Sequence, residues 1–168
     1  MKTIIIKRSV SLLLAAFLLP LFISNCSSSK NVSALSHDEV QGMVNSSEFT
    51  FVADRLTPLR GTTRYLTNYY YLTVNKDKLN SFLPFLGRIY HPLLDPSEGP
   101  LRFTSTRFTY TVTPKSKNGW EVMIKPSDYQ NVEQMEFDIF DNGTANLNVT
   151  STDRDDISFS GRIEKLNK

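Results

Sequence analysis

The sequence is poor in the two residue types on which disulfide frameworks and zinc sites depend. Cys26 is the single cysteine among 168 residues, and one thiol cannot form an internal disulfide. The chain has two histidines, His37 and His91, and neither has a partner at the spacing of zinc ligands. We therefore predict no metal site and no cofactor.

The sequence also has no excess of positive charge beyond its first residues. The formal net charge is +2, but Lys2, Lys7 and Arg8 lie in an N-terminal stretch without acidic residues. Removing these three from the 19 basic residues leaves 16 against 17 acidic ones, a net charge of −1. Nucleic-acid binding needs a clustered positive face, so we predict no nucleic-acid partner.

The motifs of several enzyme classes are missing too. The chain has no Gly-x-Ser-x-Gly elbow, no phosphate-binding glycine-rich loop and no His-Glu-x-x-His helix. Asp95 and Glu98 could act as a general acid and base only if their proline-rich loop folded over a substrate. The cluster from Asp153 to Asp156 lacks the ligand order of an EF-hand, which favours a solvated charged turn. We predict a protein without catalytic residues and keep a hydrolase as an alternative.

What the sequence does contain is an export leader. Its basic first residues precede an apolar stretch from Val10 to Ile23, which is the pattern of a signal peptide. The stretch is shorter than the roughly 20 apolar residues of a membrane-spanning helix. The pattern therefore predicts cleavage rather than a permanent transmembrane segment.

The leader ends at the lone cysteine. Ile23-Ser24-Asn25-Cys26 resembles a lipobox, in which a diacylglycerol is joined to the cysteine sulfur before cleavage just upstream. Asn25 departs from the small residue that the pattern prefers there. We predict a signal peptide over residues 1–25 and lipidation of Cys26, which would anchor the protein to the membrane. The alternative is a plain secretory signal followed by an unmodified cysteine.

The residues after Cys26 predict a tether and a location. Residues 26–35 are mostly small and polar, a composition typical of a flexible spacer. They lack the acidic run that resembles surface-export signals in some bacterial lipoproteins. We therefore predict a lipid-anchored protein of the cell envelope, on the outer membrane and facing the periplasm.

The remaining residues, 36–168, predict a single β-rich domain with one short N-terminal helix. Ser36 and Glu39 have the spacing of a capping box, and Leu35 and Val40 that of a hydrophobic staple. From Glu48 onward the apolar residues alternate, which is typical of strands with one buried face. Because short links join the strands, we predict an antiparallel meander curled into a small barrel or half-barrel.

Seven or eight strands are predicted, and the alternation gives the inward positions of seven of them. Their inward positions are Phe49, Phe51 and Ala53; Tyr70, Leu72 and Val74; Phe108, Tyr110 and Val112; Trp120, Val122 and Ile124; Met135, Phe137 and Ile139; Ala145, Leu147 and Val149; and Ile157, Phe159, Gly161 and Ile163. Asn142-Gly143 between two of these runs predicts a hairpin with a type I′ turn. Gly161 indicates a bulge or a tight bend where the sheet curls.

Five segments of the chain together resemble a known family. They are FTFVADR at 49–55, YYYLTV at 69–74, LPFLGRIY at 83–90, FDIFDNGTANLNVTS at 137–151 and ISFSGRIE at 157–164. With the lipoprotein leader, they resemble the domain of unknown function family 4251, short lipoproteins of Bacteroidetes-type bacteria. The resemblance implies a lipocalin-like barrel or half-barrel, and it implies no activity and no catalytic residue.

A tyrosine-rich strand is the strongest candidate for a binding surface. Tyr65, Tyr69 and Tyr71 share a face opposite the inward positions of the same strand, and tyrosine suits contact with a ligand or a protein. Ordinary sheet packing is the alternative explanation, since strands favour tyrosine.

Two functions follow as hypotheses. The first is a non-enzymatic binding module that holds a small apolar or amphipathic ligand inside the curled sheet. The second is an interaction protein whose sheet edge or tyrosine face docks an outer-membrane or periplasmic partner protein. An apolar cavity would favour the first, and a filled core with exposed aromatic residues would favour the second.

Overall fold

The computed structural model describes residues 35–91, 100–116 and 119–166, which fold into one helix and nine strands. The helix is α1 (His37–Ser46). The strands are β1 (Phe49–Pro58), β2 (Arg64–Asn75), β3 (Lys78–Leu83), β4 (Leu101–Ser105), β5 (Phe108–Lys115), β6 (Gly119–Pro126), β7 (Val132–Phe140), β8 (Thr144–Ser151) and β9 (Ile157–Glu164). The described part of the chain contains no helix with the length and apolarity needed to span a bilayer.

All nine strands belong to one antiparallel sheet, in the order β4-β3-β2-β1-β9-β8-β7-β6-β5. The first and last strands pair in the middle of the sheet, so β4 and β5, which follow each other in the chain, form its two edges. The sheet curls into a nearly closed barrel with its seam between these edges. The predicted fold class, a mainly β barrel or half-barrel with one short helix, is confirmed.

Helix α1 begins where the sequence predicts. The Ser36 hydroxyl accepts a hydrogen bond from the Glu39 amide, and the Glu39 carboxylate accepts one from the Ser36 amide, which completes the capping box. Ser47 ends the helix in the left-handed conformation, with φ of 57°. The helix packs on β5 and β6, where the Tyr110 hydroxyl donates to the Val44 carbonyl at 2.7 Å.

The interior of the barrel is filled by side chains. One apolar cluster draws buried residues from α1 and from every strand except β5, whose inward side chains are half-buried against it. Phe51 of β1 and Phe137 of β7 meet across the interior with ring centroids 5.4 Å apart, although β9 and β8 separate their strands in the sheet. Such close packing leaves this part of the core without space for a ligand.

A β-bulge bends the sheet where β1 meets β9. Ala53 pairs with Gly161, but the next pair is Arg55 with Ser160, so Asp54 is an extra residue of β1. A Cβ atom on Gly161 would lie 2.0 Å from the Val52 carbonyl oxygen. The predicted bend at Gly161 is confirmed, because this approach of two backbones is open only to glycine.

The predicted β7–β8 hairpin is present, but the predicted turn type is wrong. A type I′ turn needs positive φ at both central residues, and of Asn142 and Gly143 only Gly143 has it, at 82°. The Gly143 amide donates to the Phe140 carbonyl at 2.9 Å, and the Asn142 side chain accepts from the Thr144 amide at 3.0 Å. The Asn142 side chain thus stabilises a three-residue loop whose last position takes the positive φ.

Two strands, β3 and β4, lie outside the predicted alternation. Each turns a serine inward, and Ser81 and Ser105 are 1% and 0% exposed. Ser81 donates to the Leu101 carbonyl at 2.7 Å, and Ser105 donates to the Asp128 carboxylate. These bonds satisfy the buried hydroxyls, but a polar residue at an inward position interrupts the pattern that indicates a strand.

Candidate binding surface on the exterior of the barrel

The tyrosine-rich strand β2 contributes to a row of side chains that crosses five neighbouring strands on the outside of the barrel. Val52 of β1 pairs with Tyr71 of β2, Tyr71 with Phe82 of β3, and Phe82 with Arg102 of β4. On the other side, Val52 pairs with Arg162 of β9. Residues paired across strands point to the same side of a sheet, so an arginine flanks the apolar and aromatic members of this row at each side.

The aromatic members of the row are in contact. The ring centroids of Tyr71 and Phe82 lie 5.8 Å apart, and those of Tyr69 and Tyr71 lie 5.6 Å apart. The Arg102 guanidinium lies 4.5 Å from the centre of the Phe82 ring, a cation–π distance. We call Tyr65, Tyr69, Tyr71 and Phe82 the exterior tyrosine face.

The structure brings together two of the three predicted tyrosines. Tyr69 is 56% exposed and its ring rests beside that of Tyr71, which is half-buried. Tyr65 is 80% exposed and lies on the far side of the irregularity at which the β1–β2 register shifts. Tyr69 and Tyr71 are therefore placed to bind a ligand jointly, whereas Tyr65 stands apart.

A groove with a volume of about 180 Å³ opens beside this tyrosine pair. Tyr69 and Tyr71 form one wall of the groove. The other residues that line it are Thr50, Thr73, Glu164, Lys165 and Leu166. The groove thus combines two aromatic rings with hydroxyl groups and one charge of each sign.

The charged groups of the groove are already paired within the protein. Glu164 accepts from Arg162 Nε at 2.9 Å, and Arg162 also donates to Asp54 at 3.0 Å. Lys165 donates to the Glu39 carboxylate of α1 at 2.6 Å. Lys165 and the capping bonds from Ser36 hold the pKa of Glu39 near 2, below its ordinary value of 4.5. The Lys165–Glu39 ion pair is therefore formed at neutral pH.

The tyrosine hydroxyl in the groove stays protonated. Burial and the nearby Glu164 carboxylate raise the pKa of Tyr69 above its ordinary value of 10.0. Among the described residues, no hydrogen bond joins the hydroxyl of Tyr69 or Tyr71 to another protein group. Both hydroxyls can therefore donate to a ligand and accept from it.

A second groove, of about 520 Å³, runs between α1 and the ends of β2 and β9. It shares Lys165 and Leu166 with the first groove. Its other lining residues are Glu39, Gly42, Met43, Ser46, Glu48 and Asn75. Gly42 opens onto free space, since a Cβ atom there would meet nothing within 4 Å.

The sequence pattern does not predict Phe82, Arg102 or Arg162 as parts of this surface. Phe82 and Arg102 lie on β3 and β4, where the inward serines break the alternation. Arg162 lies on a predicted strand, but its place beside Val52 depends on the pairing of the first strand with the last. Strand pairing is a long-range property, so only the register could reveal the row.

The charged segment Asp153–Asp156 is not the solvated turn that the sequence predicts. Arg154 is 1% exposed and Asp155 is 4% exposed. Arg154 donates twice to Asp153, from Nε and Nη2, each at 2.9 Å. Asp155 accepts from the Arg88 amide at 3.1 Å and from the Tyr90 hydroxyl. This segment therefore fastens the residues that follow β3 to the barrel.

The other residues that the sequence singles out either lie outside the described residues or form no site within them. Cys26, Asp95 and Glu98 lie outside the described residues. Within the described ranges, no three histidine, cysteine or carboxylate side chains converge as a metal site would require. His37 rests against Trp120, with ring centroids 5.2 Å apart.

Comparison with known proteins identifies the family. The family model described as Domain of unknown function (DUF4251) matches residues 31–163. The chain belongs to the DUF4251 family. The resemblance predicted from the five sequence segments is therefore confirmed. Every residue of the exterior tyrosine face lies within the match, whereas the groove residues Glu164, Lys165 and Leu166 lie just beyond it.

A solved DUF4251 structure shares the fold. The crystal structure of a DUF4251 family protein from Bacteroides eggerthii DSM 20697 at 1.95 Å resolution superposes with a TM-score of 0.57. The two chains are 12% identical, and the likeness covers 79% of this chain and 89% of the other. At that identity the likeness establishes the fold alone. The search of curated proteins found no match for this DUF4251 chain.

Proposed function

We propose that this DUF4251 chain is a lipid-anchored, non-enzymatic binding module of the cell envelope that holds its ligand or partner on the exterior tyrosine face. Lipidated Cys26 attaches the module to the outer membrane, and the domain faces the periplasm. The segment between Cys26 and the helix spaces the binding face from the bilayer.

The observation that carries this proposal is the contrast between the filled interior and the exposed exterior. Phe51 and Phe137 meet across the core, 5.4 Å apart, whereas Tyr69 and Tyr65 are 56% and 80% exposed. Large exposed aromatic side chains beside a groove are typical of interaction sites. This contrast supports an exterior site over a small apolar ligand held inside the barrel.

The chemistry of the grooves supports binding rather than catalysis. A general base or acid needs a carboxylate or imidazole that is free to exchange a proton with substrate. In the two grooves Glu164 and Glu39 are engaged by Arg162 and Lys165, and the third carboxylate, Glu48, lies 3.9 Å from the Lys76 ammonium group. Their role is to hold the walls of the grooves in place.

Photo-cross-linking in living cells tests the proposed function. A photoreactive phenylalanine analogue replaces Tyr69 in the full-length lipoprotein, and a control chain carries the analogue at Thr111, an exposed position on β5. We expect adducts of defined mass at position 69 and none at position 111. Cys26→Ala should release the protein from the membrane and reduce the adducts. Equal labelling at both positions, or none at either, would contradict the proposal.

A further inference from the structure

The two exterior grooves are neighbours on the described surface, and we call the surface along both of them the path. Lys165 and Leu166 line both of them. The groove at the tyrosines holds about 180 Å³ and the groove beside α1 about 520 Å³. The smaller volume is below the roughly 300 Å³ of a typical enclosed ligand site. A ligand that uses the tyrosine groove must therefore be small or be one unit of a longer chain.

The charges of the path favour a neutral ligand. Glu164 is bonded to Arg162 at 2.9 Å, and Lys165 is bonded to Glu39 at 2.6 Å. Each of these charges already has a partner within the protein, so an anion or a cation would find no unpaired counter-charge and would have to compete with an existing ion pair. A neutral ligand can accept and donate hydrogen bonds at the same groups while both pairs stay formed.

The remaining groups of the tyrosine groove match a ring with apolar faces and a hydroxylated rim. The Tyr69 and Tyr71 rings, inclined at 38°, offer flat apolar surface. The Thr50 and Thr73 hydroxyls lie 3.4 Å apart, and Thr73, the more exposed of the two, keeps hydrogen-bonding capacity for a ligand. A pyranose presents C–H groups on its faces and hydroxyls at its rim, so it satisfies both sets of protein groups.

We propose that the two neighbouring grooves bind a neutral glycan chain, with one sugar ring against Tyr69 and Tyr71 and the following rings along α1. This inference deepens the proposed function and rests on it, because it names the ligand of the same face. An apolar peptide would cover the rings with its side chains and could reach the Thr73 hydroxyl only through its backbone. A protein partner is therefore the outcome that the test must separate from a glycan.

The test uses full-length protein released from envelopes in mild detergent. The probes are soluble hexasaccharides of α-1,4-glucose, β-1,4-glucose, β-1,4-mannose and β-1,4-N-acetylglucosamine, with the matching disaccharides, and isothermal titration calorimetry measures their affinities. We expect one sugar series to bind, with the hexasaccharide tighter than its disaccharide. A roughly tenfold rise in salt concentration should leave the affinity unchanged, since screening acts on charges.

Three variants locate the site. Tyr69→Ala should weaken binding about tenfold or more, as loss of an aromatic contact commonly does, whereas Tyr69→Phe should retain most of the affinity. Phe140→Ala is the matched control, because Phe140 is an exposed aromatic residue of β7 that lines neither groove, and it should change nothing. Gly42→Gln extends into the groove beside α1 and should weaken the hexasaccharide while sparing the disaccharide.

The outcomes separate the two proposals. If no hexasaccharide binds but Tyr69 still forms defined cross-links in cells, the glycan inference is wrong and the proposed exterior binding face stands with a protein partner. If sugars bind equally well to the wild type and to Tyr69→Ala, the inference is also wrong. If neither sugar binding nor cross-linking is found, both proposals fail.

Discussion

Arg154 is the largest side chain that the barrel buries completely. Its guanidinium donates two hydrogen bonds to Asp153 and lies 5.1 Å from the centre of the Phe85 ring. Arginine suits such a site because its planar head can pair with a carboxylate while one face packs on an aromatic ring. The residue thus joins the segment after β3 to the turn between β8 and β9.

Removing this guanidinium should destabilise the protein. For Arg154→Met we expect a loss of about 3 kcal/mol in the free energy of unfolding, at the low end of the cost of breaking a buried ion pair, because Asp153 keeps some contact with water. Urea unfolding followed by circular dichroism measures the change. Arg88→Met, at an exposed position nearby, is the control and should be nearly neutral. A similar stability for both variants would show that the buried pair contributes little.

The first strand, β1, pairs with the last strand, β9, and the bulge at Asp54 interrupts this pairing. Gly161 allows the two backbones to approach there, since a Cβ atom would lie 2.0 Å from the Val52 carbonyl oxygen and 3.0 Å from the Ala53 Cα. Backbone atoms cannot move aside as the end of a flexible side chain can. The chain therefore depends on glycine at this position.

Gly161→Ala should strain the sheet itself. We expect a loss of roughly 3 kcal/mol, the upper end of the range for overpacking, because β1 and β9 must separate locally. Thermal unfolding of the variant measures the loss, and Ser160→Ala on the same strand is the control. Since Val52 belongs to the exterior row, Gly161→Ala should also alter tyrosine fluorescence from that face. A variant as stable as the wild type would show that the bulge absorbs the methyl group.

Seven strands and the helix follow from local patterns, and the rest of the architecture does not. Alternation predicts a strand where the inward positions are apolar, as at Phe137 and Ile139. It does not predict β3 and β4, where Ser81 and Ser105 point inward. The hairpin follows from Asn142-Gly143, but its turn depends on the Asn142 side chain bonding to Thr144. Both errors have the same cause. At Ser81 and Ser105 a side-chain hydrogen bond takes the place of an apolar contact, and at Asn142 it takes the place of the type I′ turn.

The candidate site was predictable in part. The exposure of Tyr65 and Tyr69 follows from alternation along one strand, because a strand with one buried face exposes the other. The groove does not follow from the sequence, because Glu164 and Lys165 reach it only through the pairing of β9 with β1. Sites assembled from strands distant in sequence require the register of the whole sheet.

The barrel as a whole must protect the seam between β4 and β5, since open strand edges invite pairing with other chains. Tyr129, from the β6–β7 loop, stacks on Phe103 of β4 with ring centroids 4.2 Å apart. Asp128 of the same loop accepts from the amides of Thr106 and Arg107, at 2.9 and 3.2 Å. The loop thus covers one end of the seam and fixes the link between the two edge strands.

Several of the carboxylates that join distant parts of the barrel ionise more readily in the fold than in an unfolded chain. Bonds from Ser105 and Thr106 lower the pKa of Asp128 from 3.8 to about 2, and the bond from Lys165 lowers that of Glu39 from 4.5 to about 2. Arg154 lowers the pKa of Asp153, and Tyr90 lowers that of Asp155. The pKa values of all four carboxyl groups are therefore lowered by folding.

The folded protein therefore binds fewer protons than the unfolded chain between about pH 4 and pH 2, and its stability must fall as the pH falls through that window. The contribution of these groups is complete above their unfolded pKa values and is lost as each carboxylate is protonated. Guanidinium unfolding at pH 7, 4 and 3 should give a constant free energy down to about pH 5 and a steady decline below it. Asp128→Asn should be less stable at neutral pH and show a shallower decline, because it has one fewer shifted carboxylate. A free energy of unfolding that stays constant down to pH 3 would show that these bonds do not favour the ionised forms.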